Sequence, residues 1–122
     1  MLALDGAHRL RAARRVAMGG LHGVRVSPCD PLRAALREGA SAFILVHNHP
    51  SGDPTPSFED IASTRRIEHA AQIVATPLLD HVIVARAGYH SMLDTGTLPT
   101  GRSEKTVRPL AAPLQEARVR DV

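Results

Sequence analysis

Residues 42–46 (AFILV) form an unbroken apolar run between a helical pattern and a loop. A short run of this kind, with no polar alternation, reads as a central strand covered on both faces. That strand commits the chain to a sheet with helices packed on it. At 122 residues the chain has the length of one such domain. It contains no Trp, one Tyr and two Phe, so the core has to come from Ala, Val, Leu and Ile on regular, closely packed elements.

The flanking patterns supply the rest of the sheet. Residues 2–4 (LAL) end at the turn signal Asp5-Gly6. Residues 10–18 read as a second strand, which predicts a hairpin over residues 1–18. Met1 already lies inside the first strand, as though the chain had been cut within an element. Gly19-Gly20 is a break, and residues 21–26 alternate as a third strand. Asp30 and Pro31 open a helix as N-cap and first helical residue. Leu32, Ala35 and Leu36 are its buried stripe, and Gly39 stops it.

Beyond the apolar run, residues 47–56 form a loop stiffened by Pro50, Pro54 and Pro56. A helix is predicted from Ser57 to about residue 75, with Phe58, Ile61, Ala62, Ile67, Ala70, Ala71 and Val74 at helical spacing. Residues 79–85 read as another strand, and residues 89–93 as an edge strand across a turn at Ala87-Gly88. The expected fold class is α/β, a mixed β-sheet with helices packed on it. The pattern fades from Asp94, so the expected division is a domain over residues 1–95 and a mobile tail over 96–122. At most a short helix is expected at residues 114–119.

Composition narrows the function. Cys29 is the single cysteine, which rules out an intrachain disulfide and a thiolate cluster and suits a reducing, cytoplasmic setting. No signal segment opens the chain and no apolar run is long enough to span a membrane. The net charge of +3 and the pI near 10.0 come from arginine, notably Arg9, Arg11, Arg14 and Arg15. Such a patch suits nucleic acid, but no aromatic residues interleave it to stack on bases, and the preferred reading is a solvated strand face.

The chemistry concentrates downstream of the central strand. His47 and His49 are two apart, so extended backbone projects both imidazoles to the same side. Asp60 falls in the first turn of the next helix, with Ser57 three residues earlier on the same face. Two imidazoles and a carboxylate suit zinc, with a fourth position left for water. The alternative is local: a histidine pair alone is weak evidence, and Ser57 with Asp60 is also the pattern of a capping box. His81 reads as a satisfied core histidine, with a supporting role at the site as the alternative.

The stretch His47-Asn48-His49, seven residues, then Ser57-Phe58-Glu59-Asp60 resembles the H-x-H-x(7)-S-x-x-D signature of JAMM (MPN) metalloproteases. More narrowly, HNHPSGDPTPS followed by a helix and LLDHVIVA resembles the RadC family of bacterial proteins, over about residues 2–95. The resemblance implies a fold also seen in cytidine deaminases, with Zn2+ held by His47, His49 and Asp60. It implies that Ser57 hydrogen-bonds the oxyanion of a tetrahedral intermediate. It implies hydrolysis of a peptide or isopeptide bond in a protein or peptide substrate. An old association of RadC proteins with DNA repair makes a non-catalytic, zinc-stabilised module that binds DNA or a protein the second reading.

Two departures qualify the resemblance. JAMM catalysis uses a first-strand glutamate as general base, expected just ahead of Leu2-Ala3-Leu4-Asp5, and none of Glu38, Glu59, Glu68, Glu104 and Glu116 occupies such a place. Ser27-Pro28-Cys29-Asp30 stands where relatives usually carry His-Pro-Arg-Glu. A strand cut short also predicts an open sheet edge, and with it a homodimer. The letters HNH do not make an HNH nuclease, whose residues are spread over a ββα unit. A zinc deaminase needs a P-C-x-x-C pair that one cysteine cannot supply.

Overall fold

A computed structural model describes residues 1–17, 27 and 29–98. The third strand expected at residues 21–26 and the short helix at 114–119 lie outside the described residues. In chain order the described elements are β1 (Leu2–Leu4), β2 (Leu10–Ala13), α1 (Cys29–Arg37), β3 (Ala42–Asn48), α2 (Phe58–Ile73), β4 (Leu78–Ala85) and β5 (Gly88–Ser91). The strands form one sheet in the order β2-β1-β3-β4-β5. β3 and β4 run parallel, joined by the α2 crossover, and the other pairs are antiparallel. The fold is therefore the α/β, mixed-sheet architecture expected. No described helix is long and apolar enough to cross a membrane.

The apolar run is the middle of this sheet, but the helices cover one face of it. Phe43 and Leu45 on β3 and Ile83 on β4 point into a core with Leu32 and Ala35 of α1 and Ile67 and Ala71 of α2. The alternate residues point the other way, and Val46 and Val84 are 41% and 38% exposed. Coverage on both faces, expected for β3, is thus not seen among the described residues. β1 lies inside the sheet between β2 and β3, so the outer described strands are β2 and β5 rather than the first strand. At the hairpin, Asp5 Oδ1 accepts the backbone N–H groups of Ala7 and Arg9 at 2.8 and 2.9 Å. The left-handed position there falls on His8 (φ 59°), not on Gly6.

Local chemistry sets the helix ends. α1 starts at Cys29, one residue before the expected Asp30 cap, and Ser27 bonds to its first turn. Its Oγ accepts from the Cys29 N–H at 3.3 Å and its carbonyl from the Asp30 N–H at 3.0 Å. Gly39 (φ 61°) ends the helix as expected: the Ala40 N–H reaches the Ala35 carbonyl and the Gly39 N–H that of Leu36. Leu32 and Ala35 are buried, but Leu36 is 52% exposed.

α2 ends in the same motif without a glycine. Thr76 N–H bonds to the Ala71 carbonyl and Ala75 N–H to that of Gln72, with Ala75 left-handed at φ 54°. An L-residue there costs about 1–2 kcal/mol, against about 0.5–1 kcal/mol of extra backbone entropy for glycine. Ala75→Gly is therefore expected to stabilise the fold by about 0.5–1 kcal/mol, a rise of a few degrees in Tm. A lower Tm in a thermal melt would contradict the assignment of this cap.

Candidate metal centre

The parallel pairing of β3 with β4 carries the histidines to the end of the sheet. β3 continues past the apolar run through His47 and Asn48. The His49 N–H then bonds to the Val84 carbonyl at 2.9 Å, so the chain stays extended through the second histidine. Both imidazoles thereby keep the helix-facing side that Phe43 and Leu45 occupy further down the strand. The loop returns quickly: Gly52, at φ 90°, accepts from the Ala87 N–H at 3.0 Å and ties the loop to the β4–β5 turn.

α2 begins directly over this strand end. Ser57 is its N-cap, with its Oγ accepting from the Asp60 N–H at 3.1 Å, while Asp60 Oδ2 accepts from the Ser57 N–H at 2.7 Å. The capping-box alternative is thus realised, and it does not exclude a site. The same carboxylate faces both histidines, with Oδ1 3.4 Å from His47 Nε2 and Oδ2 3.1 Å from His49 Nε2. One ligand atom from each of His47, His49 and Asp60 lies within 4.8 Å of the others. All three side chains are partly buried, His47 at 34% exposure and the other two at 18%.

The donor set fits a small tetrahedral cation. Ligands about 2.0–2.1 Å from zinc at tetrahedral angles stand roughly 3.3 Å apart, close to the two separations observed. Hydrogen bonding gives a second reason. His49 Nδ1 lies 2.9 Å from the Asp53 carbonyl, which can only accept, so Nδ1 carries the proton. In the neutral ring Nε2 is then a bare lone pair aimed at a carboxylate oxygen. In that state two acceptors face one another, an arrangement that a proton or a metal cation between them resolves.

Titration properties follow the same geometry. Burial lowers the pKa of His47 despite the attraction of Asp60. Burial is also the largest influence on Asp60 and works to raise it. The Ser57 main chain and side chain, with His47 and His49, outweigh that and leave the carboxyl below its ordinary value. His81 is buried and pushed down to about 4, chiefly by desolvation and then by His47, so its ring is neutral at neutral pH.

His81 is both a core residue and a neighbour of the site. Its Nε2 lies 2.7 Å from His47 Nδ1, and its Nδ1 lies 2.6 Å from Thr64 Oγ1. Thr64, fully buried on α2, also reaches the Asp60 carbonyl at 2.6 Å. Thr64 escapes a reading of the sequence. Its one signal is a hydroxyl four residues after Asp60 within the stripe of Ile61, Ile67 and Ala71, where an aliphatic residue would serve packing as well.

Two imidazoles and a carboxylate gathered at the end of a parallel strand pair define an α/β domain with a candidate metal-binding site. The chain belongs to the RadC-like JAB domain family, whose profile matches residues 1–97. It is 45% identical over 98 residues to a UPF0758 protein of Pelobacter propionicus, covering 80% of this chain and 43% of that protein. It is 47% identical over 92 residues to a UPF0758 protein of Carboxydothermus hydrogenoformans, covering 75% and 41%. A UPF0758 protein of Thermotoga maritima is 52% identical over 73 residues, covering 60% and 33%. The chain thus spans less than half the length of these curated relatives.

Proposed function

We propose that this chain is the metal-binding part of a zinc-dependent hydrolase acting on peptide or isopeptide bonds, with His47, His49 and Asp60 as the ligands. The observation that supports it is the convergence of two imidazole Nε2 atoms on one carboxylate at 3.4 and 3.1 Å. When bound, zinc supplies Lewis acidity, activating water and polarising a carbonyl. The rest falls to the protein. Ser57 Oγ already accepts the Asp60 N–H, so its own proton is available to donate to a developing oxyanion beside the site.

A general base is the part this cluster lacks. Among the described glutamates, Glu38 pairs with Arg14, Glu68 bonds to Gln72 and Glu59 is exposed on α2, and none joins the three ligands. General acid–base help is typically worth about 10²–10⁴-fold in rate. The chain alone is accordingly expected to bind zinc with little turnover. Chelator competition should find one zinc per chain, and removing it should lower Tm. A purified chain that is zinc-free, with melting indifferent to both zinc and chelator, sinks this reading.

The nucleic-acid reading draws on the arginines of the hairpin. Arg9 pairs with Asp5 at 3.1 Å and Arg14 with Glu38 at 2.6 Å. Both pairs lower the positive charge this face offers to phosphates, and no observation favours that reading over the first.

A further inference from the structure

We propose that His81 and Thr64 are a positioning pair that holds His47 in the Nδ1–H form, leaving its Nε2 lone pair free for a metal. The proposal deepens the zinc reading and rests on it for its purpose, but the hydrogen bonds that carry it are independent of any ion. The direction of each bond follows from the last acceptor in the chain. The Asp60 carbonyl has no proton to give, so at 2.6 Å Thr64 must donate its hydroxyl proton there. Thr64 Oγ1 is then an acceptor towards His81 Nδ1, also at 2.6 Å, and that nitrogen must carry a proton. His81 Nε2 becomes the acceptor in the neutral ring, so at 2.7 Å His47 Nδ1 has to donate to it. In the neutral His47 ring what remains is an unprotonated Nε2, 3.4 Å from Asp60 Oδ1.

Three features set this relay apart from incidental core hydrogen bonding. It starts and ends on two members of the ligand set, the His47 ring and the Asp60 backbone. It crosses three elements, β3, β4 and α2, so the turn carrying Asp60 is tied to the strand carrying His47. Thr64 is fully buried and His81 is 7% exposed, which keeps water from offering alternative partners. Orientation of a histidine ligand through its second nitrogen typically matters by about 10–100-fold in metal affinity.

The test uses the whole chain, its folding checked by its amide NMR spectrum, in Thr64→Val, Thr64→Ser and His81→Gln forms. Val preserves shape but removes the acceptor for His81 Nδ1. His81 can then move its proton to Nε2 and donate to His47 Nδ1, inverting the His47 tautomer. Long-range ¹H–¹⁵N spectra of the metal-free chain should show His47 as Nδ1–H in the wild type and in Thr64→Ser, with the Nε2–H form appearing in Thr64→Val. Zinc affinity by chelator competition should fall about 10–100-fold in Thr64→Val and recover in Thr64→Ser. His81→Gln, which keeps an acceptor oxygen at a similar reach, should lie between them. A His47 tautomer that is Nε2–H in the wild type, or unchanged in Thr64→Val with wild-type zinc affinity, overturns the proposal. Failure of the wild type to bind zinc while its His47 remains Nδ1–H would instead sink the zinc reading alone.

Discussion

Asp60→Ala is expected to lower zinc affinity by more than the roughly 10–100-fold that loss of a supporting residue costs. On the proposed reading it removes a charged ligand, and it also removes the oxygen that accepts the Ser57 N–H at 2.7 Å. The second loss should destabilise the metal-free fold by about 1 kcal/mol, the usual value of such a cap. Asp60→Asn separates the two roles. Its amide oxygen can still accept from Ser57, while its NH2 can donate to Nε2 of a neutral His49 ring, which stands 3.1 Å from the carboxylate. The metal-free Asn variant should therefore melt at or above the wild-type temperature and still lose zinc. Chelator competition and thermal melts on both variants decide the matter. If Asp60→Asn keeps wild-type zinc affinity, Asp60 is a cap and nothing more.

The candidate site is legible from the sequence, whereas its surroundings are legible only in part: His81 stands there as an alternative and Thr64 not at all. His47 and His49 were readable because strand alternation is a rule of two residues, and β3 continues far enough for it to apply. Asp60 is readable through the same spacing that signals a capping box, and in the structure its carboxylate both caps α2 and faces the two imidazoles. Phe58 was misplaced. It belongs to the expected apolar stripe by spacing, yet it is 93% exposed. A helix turns about 100° per residue, so a first turn that aims Asp60 inward swings the residue two places earlier outward. The capping box between Ser57 and Asp60 fixes the rotation of that turn. Thr64 and His81 form a contact between α2 and β4, seventeen residues apart, and no local pattern marks which polar residue of one element will meet which of the other. The start of α1 differs for another reason: the spacing marks Asp30 as the cap, whereas the helix begins at Cys29 with both the hydroxyl and the carbonyl of Ser27 bonded to its first turn.

Phe43→Ala is expected to have the largest effect on stability. Phe43 is 0% exposed and heads the fully buried side chains by volume, in a core that is otherwise mainly aliphatic. Truncating a buried phenylalanine costs about 3–5 kcal/mol, a large share of the roughly 5–15 kcal/mol that holds a domain of this size together. Tm should fall by roughly 12–40 °C, taking about 4–8 °C per kcal/mol. Leu10→Ala, at a position 62% exposed on β2, should stay within about 0.5 kcal/mol of the wild type. Zinc gives the experiment a second arm. Phe43 and His47 lie on the same face of β3, and a ligand that binds only the folded state at 1,000 times its Kd contributes about 4 kcal/mol. Saturating zinc should thus restore much of what the cavity removes, and raise the Tm of the wild type as well. A Phe43→Ala chain that melts within a few degrees of the wild type would show that the core is not organised around β3. One that is strongly destabilised but gains nothing from zinc would show that the site at the end of that strand no longer forms once its base is loosened.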